Sequence, residues 1–449
     1  MGSSTIGRQA IVVGAGIGGL AAAAAVAPFF ERVLLLERDK LPEEARHRPG
    51  TPQSRHPHGL LIGGLRALEE LMPGFERQLV SQGAVRIRSN CDIRVERPGY
   101  DPFPQRDLGL SALAVSRPAI DHAARLCLAA VSNVTVRDGH RVLDFVATPD
   151  RAGVSGVRAK GDGGSQETLS ADLVIDASGR GALTIAFLAA TDHPQPAEAT
   201  IGVDLGYSTG VFEIPRDAAE DWKAVFTFGD APSSSRGVLL QAIEGNRWIV
   251  GLGGRHDQAP PGDLDGFLEF ARTLRTPTVF EAIRGAKLEG SIARYGFREN
   301  LRRHYEGLER FPKGLLPIAD AICRFNPVYG QGMTVAAQEA CLLKRLLGER
   351  AGSPDPLSDL AKAFFAEMPA LIETPWGVAT FDFIFPTTRG ERPADFDFRL
   401  RFAGALLKLA AEDAAVHKLN AEISHLIRPR SAYADTGVAA RIMSMIASS

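Results

Sequence analysis

The chain is poor in cysteine and nearly balanced in charge, and each shortage excludes a class of function. It has four cysteines in 449 residues, and Cys91, Cys127, Cys323 and Cys341 form no CxxC pair. We therefore predict no metal site, in particular no cysteine-bound zinc or iron–sulfur cluster, and a reducing compartment such as the cytoplasm. The net charge of −2 gives no reason to expect nucleic acid or an anionic membrane as a partner.

Residues 10–30 carry no charged side chain. Such a run is long enough to span a bilayer, and with Arg8 in front it could also mimic a signal peptide. However, it contains glycines spaced to make a tight turn and is followed at once by another apolar segment. This pattern favours a buried strand (11–13), turn (14–19) and helix (20–29), then a second strand (33–36).

The glycines of this turn have the GxGxxG spacing of a dinucleotide-binding fingerprint. Gly14 lets the chain turn, Gly16 lets the backbone approach a pyrophosphate, and Gly19 lets helix and strand pack closely. The free N–H groups at the start of the helix can then hold phosphates. Glu37, at the tip of the second strand, is placed to accept hydrogen bonds from a ribose 2′-hydroxyl. The stretch therefore predicts binding of an adenine dinucleotide.

A basic segment broken by prolines, residues 46–58, follows this unit. It is predicted to be a loop near the carboxyl ends of the strands, where ligands bind in such sheets. Arg46 or Arg48 could reach the pyrophosphate or a flavin. His56 and His58 could line the mouth of an active site, although a histidine in a loop is more often structural. Both stay candidates for a direct chemical role.

The middle of the chain is predicted to form a second sheet. Residues 84–106 alternate and contain prolines, and residues 198–300 are rich in strand-forming segments, with helices near 263–274 and 277–284. We expect an antiparallel sheet that covers a substrate cavity. Residues 206–210 match the GxSxG motif of hydrolases, but strand-like residues continue where that motif needs a strand-to-helix turn. We interpret the match as a coincidence.

Residues 314–337 form the second informative stretch. A short strand is predicted to end at Asp320, and a helix to begin near Gly332 after a proline–glycine loop. An ordinary strand–turn–helix crossover would account for the order of elements but not for these residues. Asp320 can accept hydrogen bonds from a cofactor ribityl hydroxyl. The amides of residues 330–333, at a helix N-terminus, can face a flavin N1/C2 carbonyl and stabilise negative charge there.

Taken together, these motifs resemble a known family. They are GAGIGG with Glu37-Arg38, the TPQSRHPH loop, Ser116-Arg117-Pro118, DASGRG and ADAICRFNPVYGQGMTVAA. Nearly the whole chain to about residue 350 resembles the flavoprotein monooxygenases of the p-hydroxybenzoate hydroxylase class, and most of all the squalene-epoxidase-like and polyether-antibiotic epoxidase branch. The resemblance implies non-covalent FAD in contact with Gly14, Ala15, Gly16, Gly19, Glu37, Arg38, Arg48, Arg117, Val142 (through its backbone), Asp320, Pro327, Gly330, Gly332 and Met333.

The implied fold is α/β. It has a Rossmann-type FAD-binding domain of the p-hydroxybenzoate hydroxylase type, an interleaved antiparallel substrate-binding sheet and a helical C-terminal region. The predicted parts are 1–83, 116–190 and 301–350 for the FAD-binding domain, 84–115 and 191–300 for the substrate sheet, and 351–449 for the C-terminal region. Residues 403–427 and 437–446 there have helical apolar spacing. Such faces usually pack on the protein's own core, and peripheral membrane contact or a homodimer stays open.

The implied activity is that of an FAD-dependent monooxygenase. It would insert one oxygen atom from O2, by epoxidation or hydroxylation, into a small and largely apolar organic substrate through a flavin C4a-hydroperoxide. No side chain is then obliged to act as a catalyst, because the cofactor carries the chemistry. An FAD-dependent reductase or dehydrogenase acting on isoprenoid-like double bonds is the alternative, and a non-enzymatic FAD-binding protein is the third.

Two positions depart from the class. Ala319-Asp320 replaces the usual Gly-Asp but keeps the carboxylate. Ser178-Gly179 stands where aromatic hydroxylases have the Asp-Gly pair tied to NAD(P)H use, so NADPH or NADH could reduce the flavin directly or through a separate flavin reductase. The DASG form also occurs in flavin halogenases and geranylgeranyl reductases. A halogenase is disfavoured because the WxWxIP signature is missing.

Overall fold

The computed structural model describes residues 5–216, 218 and 220–448. The strands are β1 Gly7–Val13, β2 Phe30–Leu36, β3 Val85–Arg88, β4 Ile93–Glu96, β5 Ser111–Ala114, β6 Val134–Arg137, β7 His140–Ala147, β8 Val154–Gly161, β9 Gln166–Ser170, β10 Leu173–Asp176, β11 Ala197–Glu213, β12 Ala224–Thr227, β13 Gly237–Ile243, β14 Arg247–Arg255, β15 Leu288–His304, β16 Leu315–Pro317, β17 Cys323–Arg324 and β18 Arg389–Gly390. The helices are α1 Ile17–Val26, α2 Ile62–Leu71, α3 Phe75–Ser81, α4 Arg117–Ala129, α5 Ala182–Ala190, α6 Leu264–Arg272, α7 Thr278–Ile283, α8 Gly332–Arg350, α9 Leu360–Ala379, α10 Phe396–Glu412, α11 Ala414–Ser424, α12 Ala432–Asp435 and α13 Val438–Ala447.

A five-stranded parallel sheet forms the centre of the predicted FAD-binding part. Its strands run in the order β16, β10, β1, β2, β6. Helices α1 and α8 pack against one face, and the meander β7–β9 covers the other. Because both faces are covered, residues 10–13 of β1 and 173–175 of β10 are apolar and buried. The carboxyl ends of β1, β2, β10 and β16 therefore meet at a single edge.

A larger sheet lies apart from the first, in the order β17, β15, β11, β14, β13, β12, β4, with β18 added beside β11. Its pairs are antiparallel except for β12 with β4. The segment 84–106 divides between two sheets, since β3 pairs with β5 while β4 joins the large sheet. The mixed α/β fold with a second sheet is confirmed, and the domain boundaries stay a prediction.

The C-terminal region is helical, as expected, and residues 403–427 divide between two helices. Helix α10 ends at Glu412, and Asp413 begins α11 by accepting hydrogen bonds from the N–H groups of Ala415 and Val416. The apolar faces of α10, α11 and α13 pack on one another and on Phe103. Within the described residues, no helix combines the length and apolar character needed to cross a membrane.

The close approach of Gly19 on α1 to Gly14 predicts that a larger side chain at Gly19 lowers the stability of the protein. A Cβ added at Gly19 would lie 1.8 Å from the carbonyl oxygen of Gly14, whereas one added at Gly16 would meet nothing within 4 Å. We expect Gly19→Ala to lower the free energy of unfolding of the apoprotein by about 1–3 kcal/mol, because α1 must shift away from β1. Urea unfolding of both variants checks this, with Gly16→Ala as the control. Equal midpoints for the two variants would contradict the packing argument.

Candidate cofactor and substrate site

The turn between β1 and α1 leaves room in front of the helix. Gly14 has φ +100°, and a Cβ there would lie 2.6 Å from the carbonyl oxygen of Ala177. The first and third glycines of the motif are thus required by contacts inside the chain. Gly16 is different, because its missing side chain opens onto free space beside the first helical N–H groups. That space and the helix dipole suit a pyrophosphate.

A buried ion cluster holds the tip of β2 against this turn. Glu37 accepts hydrogen bonds from the N–H of Ala15 at 2.7 Å and of Asp39 at 3.0 Å. Arg48 bridges Glu37 at 3.1 Å and Asp39 at 2.9 Å, and also donates to the carbonyl oxygen of Ala15 at 3.0 Å. Arg48 therefore fixes the turn. Glu37 keeps acceptor capacity for a hydroxyl, since each carboxylate oxygen has two lone pairs.

Arg38 and Val142 lie beside this cluster in different settings. Arg38 is exposed, whereas Val142 is buried on β7 and paired with Ala159. The start of β7 is anchored to the tip of β2, because the N–H of His140 donates to the carbonyl oxygen of Glu37 at 2.8 Å. The backbone near Val142 is therefore carried next to the predicted ribose end of the site.

The turn after β16 packs directly on the first turn of α1. A Cβ at Gly18 would lie 2.8 Å from that of Ala319, which itself has φ +60°. Asp320 follows, half-buried and with no side-chain hydrogen bond among the described residues. Burial raises the pKa of Asp320, and Arg324 and Arg117 oppose that shift. The fold thus brings the two predicted stretches together and leaves one carboxylate without a protein partner.

Helix α8 begins where the sequence places the flavin ring. Gly330 has φ +65°, Gln331 provides no side-chain cap, and a Cβ on Gly332 would meet nothing within 4 Å. Among the described residues, buried Gln331 Oε1 and Thr334 Oγ1 also lack hydrogen-bond partners. Pro327 opens the preceding one-turn helix, and Met333 is buried in the first turn of α8. Uncapped amides facing open space fit a planar ring that carries negative charge.

The two candidate histidines, His56 and His58, differ in burial and in hydrogen bonding. His56 is buried, with Nδ1 2.7 Å from Thr209 Oγ1 and with Nε2 unpartnered among the described residues. Its ring lies 5.5 Å from that of Tyr295 and 6.3 Å from that of Tyr207. His58 is half-buried, and its Nδ1–H donates to the carbonyl oxygen of His56 at 2.8 Å.

Both imidazoles are neutral near pH 7. Burial lowers the pKa of His56 to about 4, with help from His47 and Arg55. Burial, together with Arg117, lowers the pKa of His58 to about 3. Arg117 itself is buried and paired with Asp121 at 2.9 Å. The charge of Arg117 thus acts on both groups, since it helps to lower the pKa of His58 and opposes the raised pKa of Asp320.

Several polar groups near the site were missed by the sequence interpretation. Tyr207, Asn300 and the Arg255–Asp382 ion pair join the large sheet and the C-terminal region to the loop before α8. Glu339 on α8 lies behind the turn after β16, fully buried, and accepts a hydrogen bond from the N–H of Ala319 at 2.6 Å. For Glu339 the sequence does contain a signal, because a charged residue inside the apolar run of α8 indicates a buried polar contact.

The GxSxG match does not have the strand-to-helix turn that its hydrolase function would need. Ser208 of the GxSxG match lies within β11, buried, and donates to the carbonyl oxygen of Pro260 at 3.1 Å. The match is therefore a coincidence, as predicted. A wide groove of about 1290 Å³ lies at the opposite, amino-terminal edge of the parallel sheet, between Gln9, Asp172 and Gly314. In the described part of the chain, no group of three His, Cys, Asp or Glu residues could hold a metal ion.

The comparisons with known proteins show which family the chain belongs to. The chain belongs to the FAD dependent oxidoreductase family, whose model matches residues 9–234. It is therefore an FAD-dependent oxidoreductase. Protein Rv3254 of Mycobacterium tuberculosis is 31% identical over 354 residues, which are 76% of this chain and 73% of that protein.

Solved structures share the fold at low identity. The flavin-dependent brominase Bmp2 matches with a TM-score of 0.67 and 13% identity, covering 92% of this chain and 94% of that chain. PqsL of Pseudomonas aeruginosa, described as a probable FAD-dependent monooxygenase, matches with a TM-score of 0.59 and 15% identity, covering 85% and 98%. These likenesses show a common architecture, and they span more than one type of flavin chemistry.

The free carboxylate of Asp320 gives a prediction about FAD affinity. Asp320→Ala would leave ribityl hydroxyls unpaired in a desolvated site, at a cost of about 1–3 kcal/mol. We expect the Kd for FAD to rise about tenfold to a hundredfold. Fluorescence titration of apoprotein, prepared by releasing non-covalent FAD with acid or heat, measures this. The exposed Asp257 provides the control variant Asp257→Ala. An unchanged Kd for Asp320→Ala would mean that the ribityl chain lies elsewhere.

Glu339 predicts how stability depends on pH. Burial, with Asp320 nearby, raises the pKa of Glu339 to about 8, against the opposing Ala319 N–H. Between the ordinary glutamate pKa and about 8, the folded protein keeps a proton that the unfolded chain loses, so stability falls as pH rises through this window. For one such group the free energy of unfolding falls by at most about 1.4 kcal/mol per pH unit. The variant Glu339→Gln cannot titrate and therefore should not show this fall. Thermal unfolding at pH 5 to 9 should show wild type weakening relative to the variant. Parallel profiles would contradict the assignment.

Proposed function

We propose that this oxidoreductase is a monooxygenase that inserts one oxygen atom from O2 into a small, largely apolar organic substrate, as in the squalene-epoxidase-like branch. One observation carries the proposal. Beside the start of α8, Tyr207 and Tyr295 of the large sheet form an aromatic group with His56 of the loop 46–58, and the buried His56 Nε2 is unpartnered among the described residues. Such a group suits a substrate with an electron-rich ring or double bond and a polar end.

The substrate would lie between the large sheet and the C-terminal region. At this junction Phe297 and Leu205 on the sheet and Phe383 on the turn that follows α9 belong to one packed apolar cluster, beside which we place the substrate. Tyr329 and Trp376 pack against the same cluster. Walls of this kind keep water away and hold an apolar molecule in a fixed orientation, which is what oxygen insertion requires of the protein.

When bound, FAD would supply the redox and oxygen chemistry. The chain's own groups have simpler roles. The turn at Gly16 and the N-terminus of α1 bind the pyrophosphate, and Asp320 binds the ribityl hydroxyls. The first amides of α8 stabilise negative charge at the ring. His56, neutral and held by Thr209, can exchange a hydrogen bond with the polar end of the substrate through Nε2. His58 could accept one from the other side, because its Nδ1 is already used as a donor.

The turn after β10 favours reduction of the flavin through a separate protein rather than directly by NADPH or NADH. Asp176 binds the N–H and hydroxyl of Ser178, and it also binds Thr184. Ser178 is therefore occupied inside the turn, and the carboxylate associated with NAD(P)H in aromatic hydroxylases has no equivalent there. We propose NADPH or NADH as the source of electrons, with a separate flavin reductase as partner.

The same turn favours a second candidate function. Its DASG form is shared with reductases of isoprenoid-like double bonds, so a reductase or dehydrogenase of that kind is the alternative. The partners proposed for either activity are a small apolar molecule and, for the oxygenase, O2. A cytoplasmic location, and a homodimer or a peripheral membrane contact through the C-terminal helices, are further proposals.

A turnover experiment separates these activities. The FAD-loaded protein is given NADPH, with and without a flavin reductase, under 18O2, together with a panel of apolar alkenes and aromatic compounds. We expect 18O in the product, and at least tenfold faster turnover when the reductase is present. Gain of two hydrogens without oxygen in an anaerobic sample would establish the alternative. Halogenated product in the presence of bromide would overturn the proposal, and fast stopped-flow reduction by NADPH alone would overturn the need for a reductase.

A further inference from the structure

A buried arginine of the large sheet binds two turns of the parallel sheet at once. Arg303, on β15, is only 7% exposed. Its Nη1 donates to the carbonyl oxygen of Arg180 at 2.8 Å and to that of Ala321 at 3.0 Å. The first carbonyl belongs to the turn after β10 and the second to the turn after β16, and these two strands are neighbours. One guanidinium group therefore joins two turns at the carboxyl edge of the parallel sheet.

The two turns also approach each other closely at this point. A Cβ added at Gly181, which has φ +67°, would lie 3.1 Å from the Cα, the Cβ and the carbonyl oxygen of Ala321. The backbone of β15 continues the contact, because the N–H of Arg303 donates to the carbonyl oxygen of Ile322 at 2.9 Å. Arg303 is thus bound to the turn after β16 through both its main chain and its side chain.

Asp320 lies inside the turn that Arg303 holds. On its amino-terminal side, the N–H of Ala319 donates to Glu339 Oε2 on α8 at 2.6 Å. On its carboxyl-terminal side, the carbonyl oxygen of Ala321 accepts from Arg303. Buried side chains of two other elements therefore bind the residues on both sides of Asp320, whereas its own carboxylate has no hydrogen bond among the described residues. A turn supported in this way presents a carboxylate to a ligand in a fixed position.

The ion pair that Arg303 forms does not explain why an arginine is buried here. Its Nε lies 2.8 Å from Glu198 Oε1 on β11, and the glutamate side chain is 46% exposed. An ion pair whose partner is open to solvent contributes little to stability. The neighbouring Arg302 also forms an ion pair, with Glu306 at 2.8 Å, but within the described part of the chain its side chain donates to neither turn. The two carbonyl contacts are what distinguishes Arg303.

We propose that Arg303 is a positioning residue for FAD. Through the carbonyl oxygen of Ala321 it holds the turn so that the Asp320 carboxylate meets the ribityl hydroxyls. Through the carbonyl oxygen of Arg180 it keeps this turn at a fixed distance from the turn after β10. A residue of the substrate sheet thereby sets the affinity for the cofactor without contacting it. The inference rests on the proposed contact between Asp320 and the ribityl chain. A guanidinium group suits the task, because its planar fork holds several donors in fixed directions.

The test is a double-mutant cycle for FAD binding. Arg303→Met removes the donors but keeps a long, unbranched side chain, and it is introduced both into wild type and into Asp320→Ala. Arg302→Met, one residue away on β15, is the matched control. The Kd for FAD is measured by fluorescence titration of each apoprotein, and urea unfolding of the same apoproteins is recorded alongside. The cycle separates an effect that passes through Asp320 from a general loss of structure, because only residues that act together are non-additive.

We expect Arg303→Met to raise the Kd for FAD about tenfold in wild type but less than about threefold in Asp320→Ala. Arg302→Met should bind FAD as wild type does, even where its unfolding midpoint falls as far as that of Arg303→Met. An unchanged Kd in Arg303→Met, or an equal rise in the two backgrounds, would overturn the inference.

The remaining outcomes separate this inference from the proposed function. An unchanged Kd in Asp320→Ala would remove the ribityl contact and this inference with it. The expected cycle without 18O incorporation in the turnover experiment would count against the oxygenase only. Should Arg303→Met fail to fold, Arg303→Lys replaces it in the same cycle, because lysine keeps the charge opposite Glu198 but lacks the planar fork that serves both carbonyls.

Discussion

The closeness of α1 to its neighbours is the constraint on which the rest of the site depends. The missing side chain of Gly19 lets the helix touch the carbonyl of Gly14, and that of Gly18 lets it touch Ala319. The first contact sets the helix on the sheet, and the second joins it to the turn that carries Asp320. If either distance grew, the pyrophosphate end and the ring end of the cofactor site would no longer belong to the same cavity.

The charges around this cavity are arranged to receive an anion. His56 and His58 are kept neutral by burial, and Glu339 holds a proton up to about pH 8. Arg48 is matched by Glu37 and Asp39. Arg117 is likewise paired with Asp121, so what remains is the positive end of two helix dipoles. Positive potential supplied by fixed dipoles needs little rearrangement when a negatively charged ligand arrives.

The sequence predicts those parts of the site that depend on a pattern of a few adjacent residues. The glycine turn, Glu37, Asp320 and the start of α8 each follow from local pattern, and the structure carries them to one edge of the sheet. The aromatic and ionic groups could not be predicted in this way. His56 meets Thr209 across 153 residues, Tyr207 meets Asn326 across 119, and Arg255 meets Asp382 across 127. Only the pairing of strands decides such contacts. The break at Asp413 was missed for a local reason, since a capping aspartate looks like any polar residue on a helix face.

The order of strands in the parallel sheet also bears on how the protein is made. β1 ends at Val13, yet its sheet is finished only by β16, which begins at Leu315, and α8 extends to Arg350. Along the chain, most strands of the large sheet come between β1 and β16. Most of the chain must therefore leave the ribosome before the edge of the sheet that carries the predicted cofactor site can form. Until then the apolar β1–α1 unit lacks the segments on which it packs. Long-range parallel pairing is slow and leaves such segments exposed. The cofactor site can therefore form only after most of the chain has been synthesised, so cofactor binding comes late in folding.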